Sequence, residues 1–188
     1  MTVEARRAQI VAAAIEVIAE VGYRGASFAR IVQRAGLSST RMISYHFAGK
    51  DELIGAVATS VVADIAAYMT ARVRAAEGAA AMLRAYITGV VSYVDGHRAG
   101  MRALVEIVLN GAMPYGPGED RQVVAPLEEI LRAGQRSGEF RAFDPVVVAT
   151  AIQRSLDGLP FLLAAEPDLD CGAYAAELVT LFELGTRA

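Results

Sequence analysis

Hydrophobic positions recur at spacings of three and four residues along almost the whole chain. The first segment shows the pattern most clearly, with one apolar stripe formed by Val11, Ala14, Val17, Ile18 and Val21. Gly22 follows this stripe and is expected to end the helix, because glycine is typical of helix C-termini. No segment combines strand-type residues with a sustained alternation of apolar and polar positions. The chain is therefore predicted to be all-α, with about nine helices.

Two short helices are predicted next. Ser27 is positioned to cap the first of them, and Ser38 is positioned to cap the second, which runs from about residue 39 to residue 45. The turn Gly36-Leu37-Ser38 separates the two helices. Two short helices joined by a glycine-containing turn of this length are typical of a helix-turn-helix.

The second short helix carries polar side chains that suit DNA. In a helix-turn-helix, the second helix enters the major groove with its N-terminal end. Here that end presents small hydroxyl groups and one cation, namely Ser38, Ser39, Thr40, Arg41 and Ser44. Short hydroxyls suit phosphate oxygens and base edges, and Arg41 suits a guanine edge or a phosphate. The alternative is that these serines only cap a short helix with a polar outer face.

Longer helices are predicted over the rest of the chain, at about residues 50–74, 79–94, 98–110, 120–135, 144–165 and 170–185. Asp144, which precedes Pro145, and Asp170 are positioned to cap the last two. The segment GAMPYGPG, residues 111–118, is predicted to be a loop. These elements suggest an N-terminal three-helix domain, residues 1–49, and a C-terminal helical bundle, residues 50–188.

Composition excludes several functional classes. The chain has 188 residues, of which 54% are hydrophobic, and this content excludes a mostly disordered protein. The single cysteine, Cys171, allows no disulfide framework, and the two histidines, His46 and His97, are too far apart in sequence to indicate a metal cluster. The chain also lacks a phosphate-binding glycine-rich loop and a paired acid–base set. We therefore expect no metal site, no cofactor and no enzymatic activity.

The protein is also expected to be soluble and cytoplasmic. The first ten residues, MTVEARRAQI, lack the basic-then-apolar order of a signal peptide. The most membrane-like stretch runs from Leu53 to Ala71, but Asp64 lies in its middle, where a charge is costly in a bilayer. This stretch is therefore interpreted as a buried helix.

The net charge of −3 would argue against a nucleic-acid partner if it were evenly distributed. However, residues 1–50 hold seven basic and three acidic residues, a net of +4, whereas residues 51–188 hold eleven basic and eighteen acidic residues, a net of −7. The basic charge is thus concentrated in the segment that contains the predicted helix-turn-helix, as phosphate binding requires. Lys50, at the end of this segment, is the only lysine in the chain.

The run from Arg7 to Val57 resembles the N-terminal domain of the TetR family of transcriptional regulators. The resemblance depends on the segments VGYRGAS, IVQRAGLSS and above all SYHFAGKDEL, which occur in the family's order and spacing. In the C-terminal part, only SGEFRAFDP followed by LDGL is similar to members of the family. The chain departs from the family at Ser44, where an aromatic or bulky residue often precedes the Tyr-His-Phe run.

The resemblance implies an all-helical homodimer that binds double-stranded operator DNA through its N-terminal domain and a small-molecule effector through its bundle. By position, it implies that four residues lie on the recognition helix, namely Ser39, Thr40, Arg41 and Ser44. It also implies that Tyr45 and His46 lie at the end of this helix near the DNA backbone. Ser27 and Lys50 are implied to lie beside phosphates. From the residues alone, Lys50 near a helix N-terminus also suits an anion, or it is a solvated loop residue. His46 alternatively packs between helices.

The bundle contains methionine and tyrosine side chains of the kind that line adaptable apolar ligand pockets. The candidate pocket residues, with two polar residues from the helix before the loop, are Tyr68, Met69, Tyr86, Met101, Glu106 and Asn110. The alternative is that the methionines and tyrosines fill the core and that the polar pair lies on an exposed helix face.

The last two predicted helices carry more apolar surface than one face of a bundle needs. The candidate dimer-interface residues are Leu156, Leu159, Leu162, Leu178, Leu181 and Phe182. A second copy of the chain is the expected partner for this surface, and a dimer also suits a two-fold symmetric DNA site.

These features favour a ligand-responsive transcriptional regulator, and more narrowly a repressor that a small apolar effector releases from its operator. One alternative is a small helical enzyme with its active site in the bundle, against which the missing catalytic set argues. The other is a helical protein-interaction module that has lost DNA binding, against which the positive charge of residues 1–50 argues.

Overall fold

A computed structural model describes residues 2–113 and 120–188, and this part of the chain is helical with no strand element. The prediction of an all-α fold is confirmed. The helices are α1 (Val3–Gly25), α2 (Phe28–Arg34), α3 (Arg41–His46), α4 (Lys50–Arg74), α5 (Ala79–Gly96), α6 (Arg98–Leu109), α7 (Asp120–Ser137), α8 (Pro145–Asp157), α9 (Leu159–Ala165) and α10 (Cys171–Thr186).

The described residues form two compact units, one of residues 2–64 and 97–113 and the other of residues 65–96 and 120–188. The first unit therefore extends beyond the predicted domain of residues 1–49. It takes in the first part of α4, whose Leu53, Ile54 and Val57 join its core, and the whole of α6, which packs on α1. The division into a DNA-binding part and an effector-binding part stays a prediction about function.

In the first unit, α1 has the boundaries that its sequence favours. Thr2 caps it by accepting a hydrogen bond from the backbone N–H of Ala5, at 3.2 Å. The regular helix stops at Gly22, whose φ of 75° lies in the left-handed region that glycine adopts without strain. A final turn continues to Gly25. The predicted end of the first helix at Gly22 is thus a break inside a slightly longer element.

The core of the first unit lies between α1, α2, α3, α6 and the first part of α4. Each helix contributes aliphatic or aromatic side chains that are almost completely buried, including Ile10, Ile18, Ile31, Ile43, Phe47, Leu53 and Ile107. Burying one such side chain contributes about 2 kcal/mol. Helices as short as α2 and α3 are stable only because of this packing, since isolated helices of that length do not persist in water.

In the second unit, α5 packs against α7, α8, α9 and α10. Acidic side chains cap three of its helices. Asp144 accepts from the N–H of Val146 to cap α8, and Asp170 accepts from the N–H of Ala173 to cap α10, both at 2.9 Å, as predicted. The third cap comes from a distant part of the chain. Glu139 accepts from the N–H groups at the start of α5, at 3.1 Å each.

Two predicted details are different in the structure, and a third is not described by it. Helix α3 begins at Arg41, two residues later than expected, and Thr40 rather than Ser38 occupies its N-cap position without a side-chain hydrogen bond. The predicted helix over 144–165 is divided into α8 and α9, because Gly158 ends α8 and Pro160 lies in the first turn of α9, where proline is tolerated. Most of the predicted loop at 111–118 lies outside the described residues.

Two helical stretches, Lys50–Arg74 and Pro145–Ala165, are long and apolar enough to cross a membrane by length and composition alone. The core helix of a soluble protein meets the same criterion. In α4, Leu53, Ile54 and Val57 are at most 1% exposed, but from residue 62 to residue 71 only Met69 is buried. The interpretation of this stretch as a buried helix therefore applies to its first part only.

The first testable prediction concerns the packing of α7. A Cβ added at Gly134 would lie 2.1 Å from Cδ2 of the buried ring of Phe140. We expect Gly134→Ala to lower the free energy of unfolding by a net of about 1–2 kcal/mol, because overpacking outweighs the better helix propensity of alanine. Thermal unfolding at one fixed protein concentration measures this loss.

The matched control is Gly185→Ala in α10, where an added Cβ meets no atom within 4 Å. This control should be neutral or slightly stabilising. A Gly134→Ala variant as stable as wild type would show that the ring of Phe140 moves aside at no cost.

The second prediction concerns the cap that Glu139 supplies. Hydrogen bonds from the N–H groups of Ala80 and Ala79 and from the Ser137 hydroxyl hold the pKa of the Glu139 carboxyl below its usual range. The carboxylate therefore stabilises the fold above the unfolded-state pKa, and this contribution is lost as the pH falls through the lower folded-state pKa. We expect Glu139→Gln to be less stable than wild type at neutral pH.

The difference between Glu139→Gln and wild type should narrow as the pH is lowered below about 4.3, the ordinary pKa of a glutamate. Urea unfolding at a series of pH values measures it. Glu129→Gln, at an exposed position of α7, should show no such dependence. A difference that stays constant with pH would contradict the proposed role of the carboxylate.

Candidate nucleic-acid interface

Helix α3, the predicted recognition helix, has one buried face and one exposed face. Ile43 is fully buried and Phe47, at the C-cap, is 1% exposed. On the other side, Arg41 and Ser44 are exposed, and Tyr45 is 79% exposed. A tyrosine this exposed is unusual in a folded protein, since aromatic side chains are generally largely buried. The exposed face of α3 thus presents a cation, a hydroxyl and an aromatic ring.

The three predicted contact residues before Arg41 are exposed, but they lie in the turn rather than on the helix. Ser38 does not cap α3, and its hydroxyl instead contacts Sδ of Met42 at 3.6 Å. Ser39 and Thr40 provide backbone carbonyls that accept the first hydrogen bonds of α3. Their side chains remain exposed to solvent.

The N-terminus of α2 is a second exposed polar site of this unit. Ser27 caps α2 as predicted, since its hydroxyl oxygen accepts from the N–H of Arg30 at 3.4 Å. Both Ser27 and Arg30 are exposed. A helix N-terminus flanked by an arginine favours anions.

The seven basic residues of the first fifty are not equally available to a ligand. The structure describes no ion pair or hydrogen bond for the exposed side chains of Arg24, Arg30 and Arg41. In contrast, Arg34 is bound to two carboxylates of α1, at 2.9 Å from Glu16 and 2.5 Å from Glu20. This pair of bonds raises the pKa of the Arg34 guanidinium and neutralises its charge locally.

Lys50 begins α4, as predicted, but its ammonium has a partner within the protein. It donates to the backbone carbonyl of Tyr23 at 3.0 Å and lies 4.7 Å from the centre of the Tyr23 ring. The side chain is half-buried. Lys50 therefore fastens the start of α4 to the end of α1, and only its remaining N–H groups are available to a phosphate.

Arg7, on α1, contacts the end of α3 and the start of α4. It donates to the backbone carbonyl of His46 and to Oε1 of Glu52, the latter at 3.2 Å. Its guanidinium also lies 4.1 Å from the centre of the Phe47 ring. Glu52 in turn accepts from the N–H of Ala48 at 2.6 Å, and these bonds hold the pKa of the Glu52 carboxyl below its usual range.

His46 lies at the C-terminal end of α3. Its ring is half-buried and packs edge-on against Tyr45, with 5.1 Å between ring centres. The described ring contact is thus with a neighbour on the same helix rather than between helices.

Glu106 occupies a different position from the one predicted for a pocket residue. Its Oε2 accepts from the backbone N–H of Tyr23 at 2.9 Å, directly after the break in α1. A Cβ on Gly22 would lie 3.1 Å from the same oxygen, so the glycine also leaves room for the carboxylate. The nearby Asn110 caps α6 by donating to the carbonyl of Glu106 and is exposed.

The six predicted pocket residues are divided between the two compact units. Met101, Glu106 and Asn110 belong to the first, and Tyr68, Met69 and Tyr86 belong to the second. Within the second unit, Tyr86 is buried and donates to Oε1 of Gln153 at 2.8 Å. Burial, with the nearby charge of Asp157, raises the pKa of Tyr86 to about 12.

An open groove of about 570 Å³ lies between α5 and α10 in the second unit. Its floor is apolar, with Val91, Ala175 and Val179, and an ion pair of 2.6 Å between Arg84 and Glu183 closes one end. None of the six predicted pocket residues lines this groove. The sequence pattern therefore did not indicate it.

Two of the six predicted dimer residues are buried within their own unit. Leu156 is 1% exposed and Leu159 is fully buried, so both belong to the core rather than to an exposed face. Leu162, Leu178 and Phe182 are partly buried, and Leu181 is 60% exposed. Two further apolar residues of the same helices, Phe161 and Leu184, are 50% and 66% exposed.

The structure adds two residues that the sequence pattern does not single out, Arg7 and Glu52, which contact the end of α3 and the start of α4. A weak signal exists for Glu52, because a glutamate in the first turn of a helix often accepts from the N–H just before it. No spacing rule connects Arg7 with a carbonyl 39 residues later in the chain.

Comparison with known proteins agrees with this architecture. Residues 10–57 match the sequence profile of the family described as bacterial regulatory proteins, tetR family. The HTH-type transcriptional regulator BetI of Burkholderia mallei is 40% identical over 76 residues, which are 40% of this chain and 38% of that protein. The chain thus matches less than two fifths of the length of the curated relatives at this level.

Solved structures match over nearly the whole chain. A bacterial regulatory protein in the tetR family from Rhodococcus RHA1 has a TM-score of 0.79 at 24% identity, covering 95% of each chain. AibR, in complex with isovaleryl coenzyme A and operator DNA, has a TM-score of 0.78 at 19% identity, covering 94% of this chain and 97% of that chain. At these identities the likeness shows the fold. The N-terminal match adds that residues 10–57 are similar in sequence to the tetR family of bacterial regulatory proteins.

Proposed function

We propose that this protein is a transcriptional regulator that binds double-stranded DNA through α3 and the turn before it. The exposed face of α3 is the observation that carries the proposal, since Arg41 and Ser44 are exposed and Tyr45 is 79% exposed. Ser38, Ser39 and Thr40 extend this face, and Ser27 and Arg30 add the N-terminus of α2.

The chemistry of this face suits the major groove and its borders. The Arg41 guanidinium offers paired donors to the O6 and N7 acceptors of guanine or to a phosphate. Hydroxyl groups of the turn suit phosphate oxygens, and Tyr45 combines a ring with a phenolic hydroxyl. Lys50 and His46, at the border of this face, enter the proposal as secondary contacts, because Lys50 already donates to a carbonyl of the protein and His46 is half-buried.

The distribution of unpaired charge also supports a DNA partner. Arg24, Arg30 and Arg41 are exposed and have no described acidic partner, so their full charge is available to phosphates. Each phosphate contact of this kind releases counterions from DNA and makes the affinity depend on salt. A protein with this role acts in the cytoplasm, where bacterial DNA lies.

We further propose that the protein acts as a homodimer through α8, α9 and α10. Phe161, Leu181 and Leu184 are at least half exposed, which is costly for large apolar side chains without a partner surface. A two-fold dimer would present two copies of α3 to half-sites about one helical turn of DNA apart.

An effector that binds the second unit is the proposed control. AibR, which has the same fold, was solved with isovaleryl coenzyme A and operator DNA, and this supports a small effector with an apolar part. Tyr68, Met69 and Tyr86 are the candidate contacts within the second unit. Such an effector would release DNA by favouring a dimer geometry that no longer fits both half-sites, and the protein would then act as a repressor.

The third prediction tests the DNA contact of Arg41. We expect Arg41→Ala to weaken binding by about tenfold or more, because one good contact to a base pair contributes about 1–3 kcal/mol. If Arg41 binds a phosphate, the slope of log affinity against log salt should also fall by about 0.9 for each phosphate that is no longer bound. The probe is a duplex selected by the wild-type protein from a randomised library, followed by fluorescence anisotropy over a salt series.

Arg136→Ala, at an exposed position of α7, removes the same charge from the second unit and should leave affinity and slope unchanged. Equal effects of the two variants would refute the assignment of the interface. Failure of the wild type to retain any duplex would instead favour a protein-interaction module.

The fourth prediction tests the dimer. We expect the double variant Leu181→Asp with Leu184→Asp to be monomeric by light scattering, because two buried charges per protomer oppose association. DNA affinity should fall at least about tenfold, since two linked half-site contacts become independent. Val108→Asp, at an exposed apolar position of α6, should remain dimeric. A double variant with unchanged mass in solution would place the dimer contact elsewhere.

A further inference from the structure

The recognition helix α3 cannot hold its own conformation. It has only six residues, and its N-cap residue Thr40 makes no side-chain hydrogen bond. A helix of this length is unstable in isolation, so its orientation depends on tertiary contacts. Ile43 and Phe47 anchor its buried face. These apolar contacts alone do not satisfy the polar groups at its C-terminal end.

Arg7 supplies the polar contact at that end. The last carbonyls of a helix lack partners within the helix, and they form the negative end of its dipole. The carbonyl of His46, the last residue of α3, accepts from Nη1 of Arg7. The guanidinium also lies over the ring of Phe47, at 4.1 Å from its centre.

Glu52 holds Arg7 in this position from the other side. Its Oε1 accepts from both Nη1 and Nη2 of Arg7 at 3.2 Å. Its Oε2 accepts from the N–H of Ala48 at 2.6 Å, in the short segment that joins α3 to α4. One guanidinium and one carboxylate therefore connect the end of α3, the corner after it and the first turn of α4 to α1.

We infer that Arg7 and Glu52 are positioning residues for DNA binding, which set the orientation of α3 and do not themselves contact DNA. The inference rests on the proposed function, because it states how the same interface is held in place. It separates Arg7 from Arg24, Arg30 and Arg41, whose charges have no described partner in the protein.

The two possible roles of Arg7 make opposite predictions for Glu52. If Arg7 contacts a phosphate, removing the neighbouring negative charge leaves the first unit more positive and should strengthen binding. If Arg7 positions α3, removing the carboxylate frees the guanidinium and should weaken binding. The sign of the change therefore distinguishes the two roles.

The fifth prediction uses Arg7→Lys, Glu52→Gln and Glu4→Gln, with the same selected duplex and salt series as for Arg41. We expect Arg7→Lys and Glu52→Gln each to weaken binding by about fivefold or more. Lysine keeps the charge of Arg7 but lacks its planar fork, and removing the Glu52 carboxylate frees the guanidinium. The salt slope should stay at the wild-type value, since the number of bound phosphates is unchanged. Glu4→Gln, at an exposed position in the first turn of α1, removes the same charge as Glu52→Gln and should not weaken binding.

Hydrogen exchange of the free protein provides a readout that does not need DNA. The amides of residues 43–47 should exchange faster in Arg7→Lys and Glu52→Gln than in wild type, with no change in Glu4→Gln. Far-ultraviolet circular dichroism at the assay temperature verifies that each variant is folded.

Several outcomes would overturn the inference. Tighter binding by Glu52→Gln, or wild-type binding by Arg7→Lys, would assign Arg7 to a phosphate. Unchanged exchange at residues 43–47 would show that the pair does not hold α3. If the wild type binds no duplex while exchange increases as expected, the proposed function fails and the structural role of the pair stands.

Discussion

Burial of Phe47 and Ile43 governs the arrangement of the first unit. Both side chains are at most 1% exposed, and together they place one face of α3 against the core that α1 provides. Once this face is buried, the period of the helix leaves Arg41, Ser44 and Tyr45 pointing to solvent. The same packing that stabilises a six-residue helix therefore also selects which residues are exposed for the proposed DNA contact.

Only part of the positive charge of the first fifty residues is available to a ligand. The first fifty residues hold seven basic side chains, but Arg34 is bound to two glutamates, Arg7 to Glu52, and Lys50 to a backbone carbonyl. These contacts use cations to join helices within the first unit. The arginines that have no described partner, Arg24, Arg30 and Arg41, are fewer, and their exposure is what suits a phosphate partner.

The break in α1 is a second point at which distant helices of the first unit meet. Glu106 of α6 accepts from the N–H of Tyr23, and Lys50 of α4 donates to its carbonyl. The backbone N–H and the backbone carbonyl of Tyr23 are thus bound by side chains of opposite charge. Gly22 makes this possible, because its left-handed φ turns the chain and its missing side chain leaves space for the carboxylate.

Helical periodicity and capping are local properties, and for that reason most of the helices, the caps at Ser27, Asp144 and Asp170, and the helix-turn-helix could be predicted from the amino-acid sequence. The exposure of individual polar and apolar side chains could not, because it follows from tertiary packing. That packing puts Leu156 and Leu159 in the core, places Glu106 at the end of α1 instead of in the predicted pocket, and pairs Arg7 with Glu52. Such contacts join residues dozens of positions apart, and no local pattern records which distant group will lie nearby.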